Sequence, residues 1–372
     1  MDYIPVNTPL IGKLEKDKII ECIESGWISS EGPYVSEFEE KFCGIVKRKF
    51  GIAVSSGTAA LDIAVAALGI GYGDEVILPT FSIISCSAAI VRSGAKPVLV
   101  DCDLDTWNMD VNSVRAKISS KTKAIMVVHT YGLPVDMNPI KDLAKEYKLF
   151  IIEDAAEMHG QFYFDKPCGS FGEISTFSFY PNKHITTGEG GMIVSDDPII
   201  AERCRSLRNL CFQKDKRFVH EEIGWNYRMT SLQAAIGIVQ IDRLEENIRK
   251  KRDIGRRYTK NLMQNNHLLF QLTETKFAKN IYWVFGMILK NNSKNNAKDF
   301  MNYLSSYGIG TRPFFWPVHK QPVFKKKGWF KDERYKNSEL MASNGFYVPS
   351  GLGITNEQID YVSEKINQFF DK

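Results

Sequence analysis

Short apolar runs alternate along this chain with longer segments whose apolar positions recur every three or four residues. The first such recurrence, Ile11, Leu14, Ile19, Ile20 and Ile23, predicts a helix over Ile11 to Ser25 that stops at Gly26. A polar, aromatic loop, Trp27 to Gly32, separates it from a second helical stretch, Tyr34 to Cys43. A short strand, Gly51 to Val54, then runs through Ser55, Ser56 and Gly57 into Thr58 to Leu68. That segment is nearly all small or apolar, as a helix buried against a sheet requires.

From Glu75 the alternation becomes regular. Strands are predicted at Glu75 to Leu78, Pro97 to Val100, Ala124 to His129, Leu149 to Ile152 and Thr176 to Tyr180, with helices between them at Ser82 to Ser93, Val111 to Ile118 and Pro139 to Tyr147. Strands that alternate with helices over such a span imply an α/β fold, a mostly parallel central sheet sandwiched by helices. Ligands of such sheets gather at the carboxyl ends of the strands. Beyond Thr230 the texture changes. Leu232 to Leu262 is one long helical stretch, with a break expected near Arg252 to Gly255, and Tyr282 to Leu289 (strand), Ala297 to Tyr307 (helix), Gly310 to Phe315 (strand) and Asn356 to Phe370 (helix) follow. This pattern predicts a large domain over residues 1–245 and a smaller α+β C-terminal domain over 246–372, with Asn291 to Asn296 as a polar turn.

A chain of 372 residues with 44% hydrophobic residues can fill a substantial core. Its net charge of +4 comes from interspersed signs without an arginine-lysine stripe, which argues against a nucleic-acid surface. The seven cysteines are odd in number and contain no C-x-x-C pair, so they read as free thiols in a reducing compartment. No apolar segment is long enough to span a bilayer, and the expected location is cytoplasmic.

The chemistry concentrates in Ser175 to Asp197, STFSFYPNKHITTGEGGMIVSDD, where Lys183 sits between a strand and a glycine turn. A lysine kept from water there has its ammonium form disfavoured and can attack an aldehyde. Ser56, Gly57 and Thr58 open a helix, offering backbone N–H groups, hydroxyls and a favourable dipole to a phosphate. Asp154 ends the strand LFII, where a carboxylate could pair with a protonated ring nitrogen, and Ser178 could reach a phosphate from the end of the next strand. Taken singly, each also fits an ordinary role: surface lysine, helix N-cap, structural acid. Taken in this order within an alternating chain, they point to pyridoxal phosphate.

The chain resembles the sugar-nucleotide aminotransferases of the DegT/StrS type, within the fold-type I pyridoxal-phosphate enzymes. The resemblance runs through WISSEGPYVSEFEEKF, SSGTAALDIAVAALGIGYGDEVILPTFS, KTKAIMVVHTYG, IIEDAAE, FSFYPNKHITTGEGGMIVSDD, WNYRMTSLQAAIG and RPFFWPVH. The last two blocks and TTGEGGM look most like the GDP-perosamine synthase branch. The resemblance implies the fold-type I aminotransferase fold, with Lys183 holding the cofactor's aldehyde and moving protons. It further implies Asp154 on the pyridine nitrogen, Glu157 by the ring hydroxyl, and Gly57, Thr58 and Ser178 at the phosphate, joined by Asn226 of a partner subunit. Trp27, Ser29, His129, Tyr131, Arg228, Phe315 and His319 become candidates for the sugar-nucleotide pocket. A homodimer with its active site between subunits is implied, as is amino transfer from L-glutamate to C4 of a nucleotide-linked 4-keto-6-deoxyhexose of polysaccharide biosynthesis. The substrate implied first is GDP-4-keto-6-deoxy-D-mannose.

Two features depart from the family pattern or bear on it. Many relatives carry an aromatic residue where TFSIIS has Ile83, so either Ile83 or Phe81 would meet the cofactor ring. Relatives that dehydrate carry histidine in place of the lysine, so Lys183, followed by His184, favours amino transfer. A dTDP- or UDP-linked substrate and a non-catalytic regulatory protein stay open as alternatives. Other signals fall away: Gly69 to Gly73 follows a helix, the reverse of a dinucleotide loop, and Asp101, Asp103 and Asp105 lack the glycine and closing glutamate of a calcium loop. No histidine spacing suggests a metal, and none is expected.

Overall fold

The computed structural model describes residues 2–213, 215–290 and 296–370. The alternating region forms one seven-stranded sheet, in the order Phe50–Val54, Gly191–Ser195, Ile174–Ser178, Phe150–Asp154, Thr122–Val128, Glu75–Pro79, Lys96–Val100. Gly191–Ser195 runs antiparallel to both neighbours, and all the other pairings are parallel. Both faces of the sheet are covered, which is why its strands read as continuous apolar runs. Along Phe50–Val54, for example, Ile52 and Val54 join the core under the helices Gly57–Ala67, Ile84–Arg92 and Pro198–Arg208. Ala53 points to the opposite core, shared with Pro33–Val46, Met137–Tyr147 and Ser231–Asp242.

A second, four-stranded antiparallel sheet is built from Leu268–Phe270, Phe285–Leu289, Gly345–Val348 and Arg312–Pro313. The helices Leu244–Leu262, Ala297–Ser306 and Asn356–Phe370 pack around it in a core of its own. A further apolar cluster, including Phe81, Trp107, Tyr131, Trp283 and Phe314, joins this sheet to the first. The chain then returns to the first sheet: Val318, Phe324 and Tyr335 enter its core, and the Tyr335 hydroxyl donates to the Leu99 carbonyl at 3.0 Å.

Several elements differ from expectation. The long helical stretch breaks at Arg243, between Ser231–Asp242 and Leu244–Leu262, and is continuous through Arg252 to Gly255. Gly255 serves contact: a Cβ there would lie 2.4 Å from the Tyr282 ring. Val111 to Ile118 is a four-residue α-turn followed by a 3-10 turn. The strand expected from Tyr282 starts at Phe285, because Tyr282 takes φ 51°. Only Arg312–Pro313 of Gly310 to Phe315 pairs as a strand. The polar turn at Asn291 to Asn296 lies outside the described residues except for Asn296, whose side chain caps the next helix by accepting the Asp299 N–H at 3.0 Å.

Candidate active site

The parallel strands end on one side, and their carboxyl ends deliver Ser56, His129, Asp154 and Ser178 to a shared cavity of about 430 Å³. Lys183 enters the same cavity from the turn that follows Ile174–Ser178, where its own N–H donates to the Tyr180 carbonyl at 2.9 Å. Its side chain is 8% exposed, with Nζ 3.8 Å from Glu157 Oε1. The face of Trp283 covers the amine, its ring centre 3.9 Å away. Burial drives the Lys183 pKa down, while Glu157 and then Asp154 push it back up. Burial likewise carries the Glu157 carboxyl up to about 7, with Lys183 and the Tyr131 N–H, 2.7 Å from Oε2, opposing it. Burial thus pushes the acid up and the amine down, and each is opposed by the other's charge.

Asp154 is 3% exposed. Burial raises its pKa, against which work the Cys86 thiol, donating to Oδ2 at 3.1 Å, and the Ala156 N–H, donating to Oδ1 at 3.1 Å. Across the cavity, Ser56 caps the helix Gly57–Ala67 by accepting the Ala59 N–H at 3.1 Å. The leading N–H groups of that helix have no carbonyl partner within it, which favours an anion there. Gly57 is needed for the approach: a Cβ would meet the Ser178 Cβ at 2.8 Å and its Oγ at 3.2 Å. Glycine therefore lets the Ser178 hydroxyl and the helix end face one point, beside the Thr58 hydroxyl, which is 2.9 Å from that of Ser85. An anion seat, a desolvated amine and a buried carboxylate share one cavity, which fits a phosphorylated aldehyde with a basic ring.

The other expected residues are placed unevenly. His129 lines the cavity, but its Nδ1 accepts the Val135 N–H at 3.0 Å and its Nε2 meets Glu153 at 3.1 Å, so both nitrogens are engaged. Glu153 in turn accepts from the Gly169 and Phe171 N–H groups and the Ser175 hydroxyl. The grouping of His129, Glu153 and Cys168, whose ligand atoms lie within 4.8 Å of one another, is therefore already filled with hydrogen bonds at its carboxylate. Phe315 lines the cavity; Tyr131 is fully buried behind it among Phe81, Trp107 and Phe314. Ile83 lines the cavity and is 42% exposed, whereas Phe81 is buried away from it. His319 lies elsewhere, with Nδ1 2.8 Å from the Thr80 hydroxyl and Nε2 3.0 Å from Glu339.

Trp27, Ser29 and Arg228 line a different depression of about 540 Å³, together with Arg208, Asn209 and Arg217. Arg228 donates to the Asn209 side chain at 2.6 Å, and the exposed Asn226 bridges to Asn209 through the backbone. Sequence reasoning passed over Trp283, Tyr347, Asn182, Glu189, Ser85 and Cys86, of which all but Cys86 line the Lys183 cavity. Trp283 and Tyr347 come from the second sheet's side, where no local spacing marks them. Ser85 and Cys86 could have been found as polar residues in the first turn of a helix that follows a strand of the alternating region.

The sequence matches the family described as DegT/DnrJ/EryC1/StrS aminotransferases over residues 9–367. The chain belongs to this family. It is 42% identical over 370 residues to a GDP-perosamine synthase of Escherichia coli O157:H7, covering 100% of this chain and 99% of that one. It is 38% identical to a GDP-perosamine synthase of Vibrio cholerae, with 99% of each covered. Among solved structures, the Streptococcus pneumoniae protein Spr1654 in its PMP form, described as a sugar aminotransferase, superposes with a TM-score of 0.90 at 25% identity over the whole of both chains. The protein is thus a pyridoxal-phosphate-dependent sugar aminotransferase with the fold of its family. Among the described residues, no helix is long and apolar enough to cross a membrane.

Proposed function

We propose that this aminotransferase moves the amino group of L-glutamate to C4 of GDP-4-keto-6-deoxy-D-mannose, giving GDP-perosamine. The observation that carries the transfer chemistry is the Lys183 amine, buried 3.8 Å from Glu157 in the cavity that also holds Asp154 and the Gly57 cradle. Support for the sugar nucleotide comes from the relatives named GDP-perosamine synthase, which align over essentially the full chain.

In this reading Ser56, Gly57, Thr58 and Ser178 seat the cofactor's phosphate, Asp154 pairs with its ring nitrogen, and Glu157 stands by its ring hydroxyl. When bound, pyridoxal phosphate supplies an aldehyde to carry the amino group and a ring that accepts electron density from the carbon losing a proton. Lys183 would hold that aldehyde at rest. With its amine free, Lys183 would take the proton from the α carbon of glutamate and pass it to the carbon that receives the amino group. In the return half it would move that proton from the same carbon to C4 of the sugar, from the side on which it stands, which would fix the stereochemistry. Before each abstraction Glu157, 3.8 Å from the amine, would take up the proton that an ammonium form of Lys183 carries, so that the amine starts out basic. Asp154 would keep the ring nitrogen protonated, and Trp283, which covers the amine, would exclude water from it together with Phe315 and Tyr347 of the same cavity.

We also propose a homodimer and a cytoplasmic location. Asn226, Trp27, Ser29 and Arg228 stand apart from the Lys183 cavity of their own chain, as residues serving a partner's site would. The cytoplasmic reading draws on the seven cysteines, all free and buried. To test the substrate, the protein is incubated with glutamate and either GDP-4-keto-6-deoxymannose or dTDP-4-keto-6-deoxyglucose, and products are identified by mass and NMR. A 4-amino sugar from the GDP substrate is expected; amination of the dTDP substrate alone would move the assignment to a viosamine-type product.

A further inference from the structure

The first turn of the helix Ile84–Arg92 reaches three parts of the cofactor site at once. Ile83, its N-cap residue, forms cavity wall, and the Ser85 hydroxyl lies 2.9 Å from that of Thr58 in the phosphate cradle. Cys86, one residue further, is fully buried and directs its sulfur at Asp154 Oδ2, 3.1 Å away. The Ala156 N–H holds the other oxygen of the same carboxylate. One donor per oxygen fixes the plane of the carboxylate and leaves lone pairs of each oxygen for the cavity.

We infer that Cys86 is a positioning residue for the cofactor: its thiol donates to Asp154 and holds that carboxylate ionised and oriented toward the ring nitrogen. Burial, together with the charge of Asp154 beside it, raises the thiol pKa well above its ordinary value, so Cys86 stays protonated and remains a donor throughout the working range of pH. A buried carboxylate without this donor would lose part of what keeps it ionised, since burial alone favours its neutral form. A neutral Asp154 would pair poorly with a protonated ring. The groups facing the carboxylate are Cys86 from the helix, Ala156 and the Glu157 carboxyl from the following turn, Lys183, and His129 from the neighbouring strand end. Of these, Cys86 is the side chain in direct hydrogen-bond contact with it.

The inference rests on the placement of Asp154 against the cofactor proposed above, and is independent of which sugar nucleotide is used. The test measures dissociation constants for pyridoxal phosphate by absorbance titration in wild type, Cys86→Ala, Cys86→Val, Cys86→Ser and Asp154→Ala. Thermal unfolding of the cofactor-free proteins checks their fold, and the pH dependence of the bound cofactor's absorbance is a second readout. The Ala and Val variants should bind about ten-fold more weakly, the loss of one hydrogen bond to a charged group. Their absorbance should also titrate at a different pH, and Ser, which keeps a donor, should restore both readouts. Cys86→Ser behaving like Ala and Val, or Ala and Val matching wild type while Asp154→Ala binds weakly, would overturn the role of Cys86 alone. An Asp154→Ala protein with unchanged affinity and spectrum would overturn the Asp154 reading and this inference together. Where Ala and Val do not fold, the infrared S–H stretch decides. The band lost in Cys86→Ser should lie at a hydrogen-bonded frequency and rise in Asp154→Asn, and an unmoved band contradicts the inference.

Discussion

The Lys183 amine lies 3.9 Å from the centre of the Trp283 ring, a contact that brings a residue of the first sheet's ligand edge against one that leads into the second sheet. The ring does two opposed things. Its electron-rich face favours an ammonium, and its bulk removes the water that an ammonium needs. Burial is the largest influence on the Lys183 pKa, and Trp283 is the ring that covers the amine. Trp283→Leu should therefore raise the pH at which Lys183 titrates, while Trp283→Phe should change it less. The check is the pH dependence of Lys183 acetylation by acetic anhydride, followed by peptide mass mapping.

Glu157 should shape the acid side of the activity profile. Its carboxyl is held up at about 7, so it becomes able to accept a proton from Lys183 as pH rises through neutrality. Activity of the wild type should accordingly fall below about pH 7. Glu157→Gln should lose that limb and lower kcat roughly 10²-fold, as expected for removal of one acid-base group. Initial rates measured across the pH range in both proteins test this.

Two glycines should resist replacement for reasons of space. Alanine normally stabilises a helix interior by about 1 kcal/mol over glycine, but overpacking costs about 1–3 kcal/mol. At Gly255 an added Cβ would lie 2.4 Å from the Tyr282 ring, so Gly255→Ala should be destabilising on balance. At Gly57 it would lie 2.8 Å from Ser178, so Gly57→Ala should also weaken cofactor binding. Denaturant midpoints for both variants, and a cofactor titration for the second, measure these effects.

These two positions also show where sequence reasoning succeeds and fails. Gly57 was legible because its role is local: it opens a helix directly after a strand, next to hydroxyl residues. Gly255 carried the same letter and suggested a helix break, but its partner, Tyr282, is distant in sequence and invisible to local spacing. Asp154, Ser178 and Lys183 were readable because parallel strands end on one side of a sheet, so chain order alone places them together. Trp283 and Tyr347 reach the cavity only through the packing of the second sheet on the first. Helix Pro198–Arg208 and strand Gly345–Val348 likewise carry patterns too short or too mixed to stand out. His319, a candidate for the sugar-nucleotide pocket from RPFFWPVH, is engaged by Thr80 and Glu339, contacts that only the tertiary fold creates.

His184, the neighbour of Lys183, should make the fold sensitive to acid. Burial lowers its pKa to about 3, and its Nε2 is 3.2 Å from the Ile281 carbonyl. Between about pH 6.5 and 3 the unfolded chain binds a proton at this residue that the folded chain does not. Its contribution is therefore intact above pH 6.5 and lost progressively on acidification, by about 2 kcal/mol at pH 5. Glu157, raised in pKa, has the opposite sign over part of this range, so the comparison must isolate one residue. The drop in guanidinium midpoint between pH 7.5 and pH 5 should be smaller in His184→Gln than in wild type.

The most direct test of the account is chemical capture of the amine itself. The protein is loaded with pyridoxal phosphate, reduced with borohydride, digested and mapped by mass spectrometry. The account predicts a pyridoxyl group on Lys183 and its absence in Lys183→Ala. A group fixed instead on another lysine, such as the buried Lys251, or no fixed group at all, would contradict it.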